Sequence, residues 1–262
     1  MSIAAASYTL WQRELVRFFR QPSRVVGALG TPLVFWLLLG SGVGRSFSLP
    51  STGDAPASAM NYTEYFFPGT VVMILLFTSI FATISIIEDR KEGFLQAVLV
   101  APTPRATIVL GKVAGSTTLA VIQGAVFMIL APFAVGMAFS AIPLVLAVLT
   151  LVAFGLTGLG YLIAWRMEST QGFHAIMNLF LIPMWLLSGA VFPAEGAPVW
   201  LQWVIRVNPL SYGVAAVRWS MYSGSDTAIT GTRGPDPILA IGVVAVFAVA
   251  MFIMALRVTN RR

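Results

Sequence analysis

His174 is the single histidine among 262 residues, and the chain has no cysteine. A zinc site of two histidines and a carboxylate therefore cannot be built, nor a thiolate site, a disulfide framework or a cysteine nucleophile. A serine nucleophile partnered with His174 would need a residue such as Ser188, yet along one straight helix the two lie about 20 Å apart. A nucleotide-binding loop requires Gly, four residues, then Gly-Lys-Ser/Thr. Gly111-Lys112 is followed by Val113, and Ala106 stands where the first glycine belongs, so that match fails. The run Gly155-Leu156-Thr157-Gly158-Leu159-Gly160 and the pair Gly111 and Gly115 lie in or beside apolar stretches, where small residues let helices approach closely. Two side-chain amides lie within apolar stretches, Gln123 and Asn178; they suit interhelical hydrogen bonding or, less simply, contact with a substrate. The remaining chemistry is charge: five consecutive ionic residues, Glu88-Asp89-Arg90-Lys91-Glu92.

The elements that hold these groups are apolar. Residues 25–43, 66–87, 113–135, 142–165, 173–192 and 238–256 contain no Asp, Glu, Lys or Arg, and each is near the ~20 residues a helix needs to cross a bilayer core. Hydrophobic residues make up 58% of the chain, charged residues only 10%, and mean hydropathy is +0.86. An ordinary soluble domain carries about 25% charged residues. The expected fold is therefore an all-α integral membrane protein of six transmembrane helices spanning residues 25–256, preceded by a segment 1–24 and followed by a tail 257–262. Spans without acid or base offer no group on which to bind a driving proton or sodium ion, so uphill movement would need energy from outside the membrane.

The net charge of +6 has a sidedness. With the N-terminus inside, the inner segments hold Arg13, Arg17, Arg20, Arg24, Arg90, Lys91, Arg105, Lys112, Arg166, Arg257, Arg261 and Arg262; the outer ones hold Arg45, Arg206, Arg218 and Arg233. This bias places both termini in the cytoplasm. Basic residues scattered along membrane flanks do not form a nucleic-acid footprint. The start lacks a basic region followed by an apolar run and a small-residue cleavage site, so no cleaved signal peptide is expected.

Five segments outside the spans have a character of their own. Tyr8 to Gln21 is amphipathic: Trp11, Leu15, Phe18 and Phe19 share a helical face, with Arg13, Arg17, Arg20 and Arg24 well round from it. That pattern suits a helix lying in the inner headgroup layer and ended by Pro22, or a plain cytoplasmic extension of the first span. Gly44 to Tyr65 reads as a turn-prone outer linker, and Gly136 to Ala141 as a tight outer hairpin. After the five charges, Phe94/Val98 and Leu95/Leu99 recur at i, i+4 until Pro102 and Pro104, which suits a short helix along the inner face and a handle for another protein. Pro193 to Tyr222 is too broken for a span and too apolar for a free loop. Asn208-Pro209 divides it, and Trp200, Trp203, Tyr212, Trp219 and Tyr222 suit the outer headgroup level. It reads as a re-entrant or interfacial helix pair at an outer mouth, or as an ordinary loop with aromatic anchors.

This layout resembles the permease subunit of type-2 ABC exporters, the family that includes polysaccharide, drug and nodulation-factor exporters. Glu88–Pro104 is similar to that family's run of charge, short helix and proline turn. Phe180–Gly213, with Pro183, Leu187-Ser188-Gly189, Phe192-Pro193, Trp200 and Asn208-Pro209-Leu210-Ser211-Tyr212, is similar to its late signature, after which Arg218 follows. The resemblance implies that Glu88, Asp89, Arg90, Lys91, Glu92, Gly93, Phe94, Leu95, Val98, Leu99 and Pro102 couple to a separate ATP-binding-cassette ATPase, with Arg166–Gly172 as a smaller contact. It implies a homodimer or a sister permease, ATP and magnesium on the partner and no cofactor in this chain, and outward export of a hydrophobic or amphipathic drug, lipid or lipid-linked glycan from a bacterial inner membrane. Gln123, Asn178, Trp200, Trp203, Asn208 and Tyr212 are the candidates for the pathway and outer mouth. Two other classes compete: a membrane-embedded lipid-modifying enzyme, which would need a convergent acid, base or metal cluster, and an assembly protein without a pore.

Overall fold

Asn61 opens the helix around which the others pack. Its backbone N–H donates to the Glu64 carboxylate at 3.3 Å, satisfying a donor that the first turn leaves free. The computed structural model describes residues 3–43, 61–194, 197–223 and 234–260, and it is helical nearly throughout. The helices are α1 (Ile3–Phe19), α2 (Pro22–Val43), α3 (Tyr62–Ala82), α4 (Ile84–Lys91), α5 (Phe94–Val100), α6 (Ala106–Met128), α7 (Ala131–Ala134), α8 (Ile142–Arg166), α9 (Thr170–Leu186), α10 (Val199–Val207), α11 (Pro209–Tyr222) and α12 (Pro237–Asn260), with a 3-10 turn at Phe139–Ala141 before α8.

Among the described residues, five stretches are long and apolar enough to cross a membrane: Val26–Val43, Tyr62–Lys91, Ala106–Met128, Phe139–Arg166 and Pro237–Asn260. The second of these is α3 and α4 joined at Thr83, whose hydroxyl donates to the Ile80 carbonyl at 2.6 Å. Thirty residues of helix span about 45 Å. α3 is buried almost all round, and α2, α6, α8, α9 and α11 pack on it. Helices in lipid gain little from apolar transfer between one another, so close packing must hold them. Gly155 and Gly158 supply it between α8 and α12: a Cβ there would lie 2.8 Å from Phe247 and 2.9 Å from Met251.

Several boundaries differ from those expected. The third span, expected at 113–135, is α6 from Ala106 to Met128. Pro132 ends it early, because its ring would meet the carbonyl four residues back. It also starts early and takes Lys112 inside the helix, where α1 covers it. Pro22 opens α2 instead of closing α1. The fifth expected span, 173–192, is α9, which stops at Leu186; Gly189 then turns the chain with φ +73°, a conformation that favours glycine. α9 has 17 residues, about 26 Å, and the side chains it buries are Phe173, Met177, Leu181 and Trp185, a single i, i+4 stripe. Most of the linker expected at Gly44 to Tyr65 lies outside the described residues. The expected hairpin at 136–141 is preceded by α7 and contains the 3-10 turn.

Candidate functional site

Five charges in a row cannot enter a packed bundle unless counter-charges meet them. Asp89 is fully buried at the end of α4, and three cations converge on it. Arg13 donates to both carboxylate oxygens, at 2.9 and 2.7 Å; Arg17 donates at 2.7 Å; the Lys112 ammonium donates to Oδ2. Lys112 also donates to Glu14 at 2.5 Å and to the Ser85 hydroxyl at 3.1 Å. Arg17 reaches on to Glu88 at 3.0 Å and Glu92 at 3.2 Å. Burial opposes the charge of Arg13, but its hydrogen bonds to Asp89 and the nearby carboxylates outweigh that, and its pKa is raised.

The local sequence explains how α1 comes close enough. A Cβ on Gly111 would lie 2.5 Å from Leu10 Cβ, and one on Gly115 2.7 Å from Glu14 Cβ. The two glycines one turn apart form a groove on α6 in which α1 lies, so their expected packing role is seen directly. Trp11 closes the contact, its indole donating to Thr118 at 3.1 Å. Arg13 and Arg17 thus turn toward α4 and away from the headgroup-facing stripe expected of them, because Asp89, Glu88 and Glu92 offer fixed partners. Arg20 is exposed. The groups nearest the apolar core are therefore charged after all: Glu14, Lys112 and Asp89 are buried, and each is paired.

Gly93, with φ +76°, lets the chain reverse between α4 and α5. Arg13 stacks its guanidinium 3.7 Å from the centre of the Phe94 ring. Leu95 is buried, and Phe94, Val98 and Leu99 pack on the core. The two apolar pairs expected to form a handle thus face inward, and α5 presents Gln96, Ala97 and Val100 outward, beside Lys91, Glu92 and Pro102. Arg90 ties the segment to the link between α8 and α9, donating to the carbonyls of Trp165 at 2.6 Å and Met167 at 2.9 Å. Sequence reasoning did not single out Glu14 or Ser85; the i, i+3 relation of Glu14 to Arg17 on an otherwise apolar face was the available signal.

At the opposite end, Asn208 separates α10 from α11 as expected, and its role is structural. Its amide donates to the carbonyls of Met184 at 2.6 Å and Leu187 at 2.9 Å, and its oxygen caps α11 by accepting from Leu210 N at 3.0 Å. Tyr212 donates to the Arg206 carbonyl at 2.9 Å. Trp200 and Trp203 are exposed. Gln123 is buried and accepts from Thr78 at 2.6 Å, while its Nε2 has no partner. Asn178 is exposed on α9 and meets none of these residues. Groups of three or more residues able to hold a metal are absent among the described residues.

A family model described as "ABC-2 type transporter" matches residues 6–222. Over 258 residues the chain is 24% identical to Nodulation protein J of Neorhizobium galegae, covering 97% of this chain and 92% of that protein. A putative transport permease, ycf38, of Cyanophora paradoxa is 26% identical over 223 residues, 83% of this chain and 74% of its own length. The probable multidrug ABC transporter permease YbhR of Escherichia coli (strain K12) is 30% identical over 156 residues, 58% of this chain and 42% of that protein. The lipid-modifying-enzyme alternative draws no support from the cluster or from these relatives. With its apolar helices, its charged turn and its match over most of its length, the chain belongs to the ABC-2 type transporter family of membrane permeases.

Proposed function

We propose that this permease exports a hydrophobic or amphipathic molecule, using ATP hydrolysed by a separate cassette subunit that docks on α4 and α5. The observation that carries this reading is the clamping of α5. Arg13 of α1 stacks on its Phe94, and α4, from which it folds back at Gly93, is joined through Asp89 to α1 and α6 and through Arg90 to the link between α8 and α9. A push on so short a helix is then shared among several long ones. The docking face is Lys91, Glu92, Gln96, Ala97, Val100 and Pro102, while the apolar side of α5 serves as its root. The distribution of basic residues favours this face being cytoplasmic, with both termini on the same side. That topology makes α9 a sixth crossing, in a bacterial inner membrane.

A second permease copy, identical or a sister chain, fits the exposed faces of α2 and α9, where Val34, Phe35, Leu37, Leu38, Leu179 and Phe180 stand uncovered. The names of the relatives span nodulation and multidrug transport, which suits a cargo drug, lipid or lipid-linked glycan.

The test is co-reconstitution with the cassette subunit. Ala97→Cys should form crosslinks to cysteines in that subunit, and Arg90→Glu combined with Lys91→Glu should abolish stimulation of its ATPase by the permease. Uphill transport by the permease alone, or unchanged stimulation in the charge-reversed variant, would overturn the reading.

A further inference from the structure

At the end of the bundle away from α5, the turn after α9 and helices α10, α11 and α12 enclose a cavity of about 480 Å³. Arg206 and Arg218 line it together with Ser188, Gln202 and Tyr212, and among the described residues no lining residue is a carboxylate. Arg218 is fixed in place. Its Nη2 donates to the Gly189 carbonyl at 3.2 Å and lies 3.5 Å from that of Tyr65, and its guanidinium stands 4.3 Å from the centre of the Tyr65 ring. Its Nε is nevertheless buried and, among the described residues, has no hydrogen-bond partner. A sealed, charged donor left unpaired is unfavourable, and native structures seldom keep one without a ligand or water to meet it. Asp236 belongs to an adjoining cavity of about 200 Å³ that shares Arg218. It accepts from Ile238 N at 2.8 Å, and no ion pair joins it to Arg218 among the described residues.

Arg206 is exposed at the rim, its guanidinium 5.4 Å from the centre of the Trp203 ring. Trp200 and Trp203 project beside it, as amphipathic rings do where hydrocarbon meets headgroups. Two cations with no carboxylate among the described lining residues, one held by backbone carbonyls and one exposed at the rim, in a space of ligand size, match a phosphate better than any neutral group.

We propose that this cavity binds the anionic phosphate of an amphiphile, with Arg218 as the fixed recognition group and Arg206 as the second, adaptable contact. The inference rests on the chain being a membrane permease and is independent of how transport is energised. A lipid headgroup and a free phosphorylated solute share this chemistry, so the experiment separates them.

Purified permease in detergent is mixed with dioleoylphosphatidylglycerol or dioleoylphosphatidylcholine, and retained lipid is counted by native mass spectrometry. Phosphatidylglycerol should be retained about tenfold over phosphatidylcholine, and Arg218→Gln should remove about that factor, the scale of one charge-assisted contact. Because Arg218→Gln also loses bonds to Gly189 and Tyr65, the exposed Arg206→Glu provides an independent test and should lower retention without unfolding. Displacement of the lipid by glycerol phosphate supports recognition of phosphate alone, and resistance to it supports recognition of phosphate only on a lipid. Equal retention of the two lipids, or unchanged retention in both arginine variants, overturns the proposal.

Discussion

Arg13 and Asp89, 76 residues apart in the chain, meet through two parallel hydrogen bonds of 2.9 and 2.7 Å. This fork-to-fork geometry is the most directional ion pair that proteins make, and here it joins the first helix to the end of the second long one. Asp89→Asn leaves Arg13, Arg17 and Lys112 short of their shared acceptor. Removing one partner of a buried ion pair typically costs about 3–5 kcal/mol. Thermal unfolding in detergent should show a clear drop, partly restored by adding Lys112→Met. An unchanged midpoint would mean that the cluster contributes nothing to stability.

The groove on α6 gives a second prediction. Gly115→Leu must push α1 away, since even a Cβ would come within 2.7 Å of Glu14. Overpacking of this kind costs about 1–3 kcal/mol. Gly242→Ala is the control: nothing lies within 4 Å of a Cβ there, and a mid-helix alanine should leave stability unchanged or raise it by about 0.5–1 kcal/mol. Melting curves of the two variants should move in opposite directions.

Much of this architecture can be read from the residues in order. The long helices follow from uncharged stretches, the division between α10 and α11 from Asn208-Pro209, and the close helix contacts from Gly111, Gly115, Gly155 and Gly158. The ion cluster could not be read in this way. Lys112 looks like a charge at a membrane flank until Glu14, 98 residues away, is placed against it. The direction in which α5 faces was equally hidden, because Phe94/Val98 and Leu95/Leu99 have the same spacing whether they meet a partner or the bundle itself. Periodicity identifies an apolar side; only tertiary contacts say what covers it.

Arg90 supplies the third prediction. Arg90→Ala removes the donors to the Trp165 and Met167 carbonyls while sparing the Asp89 cluster. Hydrogen bonds from a charged group are worth about 1.5–3 kcal/mol, so folding should survive. Permease-stimulated ATPase activity should fall several-fold more than binding of the cassette subunit. Equal losses in the two would place Arg90 in docking alone.

Asn208→Ala deletes a helix cap and two bonds to the end of α9 at once. A cap is worth about 1 kcal/mol, and the carbonyls of Met184 and Leu187 each lose a donor. A fall of about 2 kcal/mol or more in unfolding free energy is expected, with Asn208→Asp intermediate because it keeps the cap but not the amide. Full stability in Asn208→Ala would refute the structural role.

Gln123→Met tests a polar group in the opposite sense. Its Nε2 has no partner among the described residues, so an apolar side chain of similar length forfeits only the bond donated by Thr78, and stability should fall by no more than about 1.5 kcal/mol. If efflux nevertheless falls while the melting midpoint holds, Gln123 touches the cargo; if both hold, it is a packing residue only.

Helices α3 and α4 carry the ion cluster at one extremity, and at the other the hydroxyls of Tyr62 and Tyr65, which donate to the carbonyls of Val191 and Gly189 at 3.0 and 2.9 Å. The two run on as one strut, with a joint at Thr83 and Pro68 inside α3 near the tyrosine end. On the function and anion site proposed above, a stroke delivered at Asp89 reaches the wall of the Arg218 cavity along 24 residues of helix, about 36 Å, and the grip on an anion there becomes its readout.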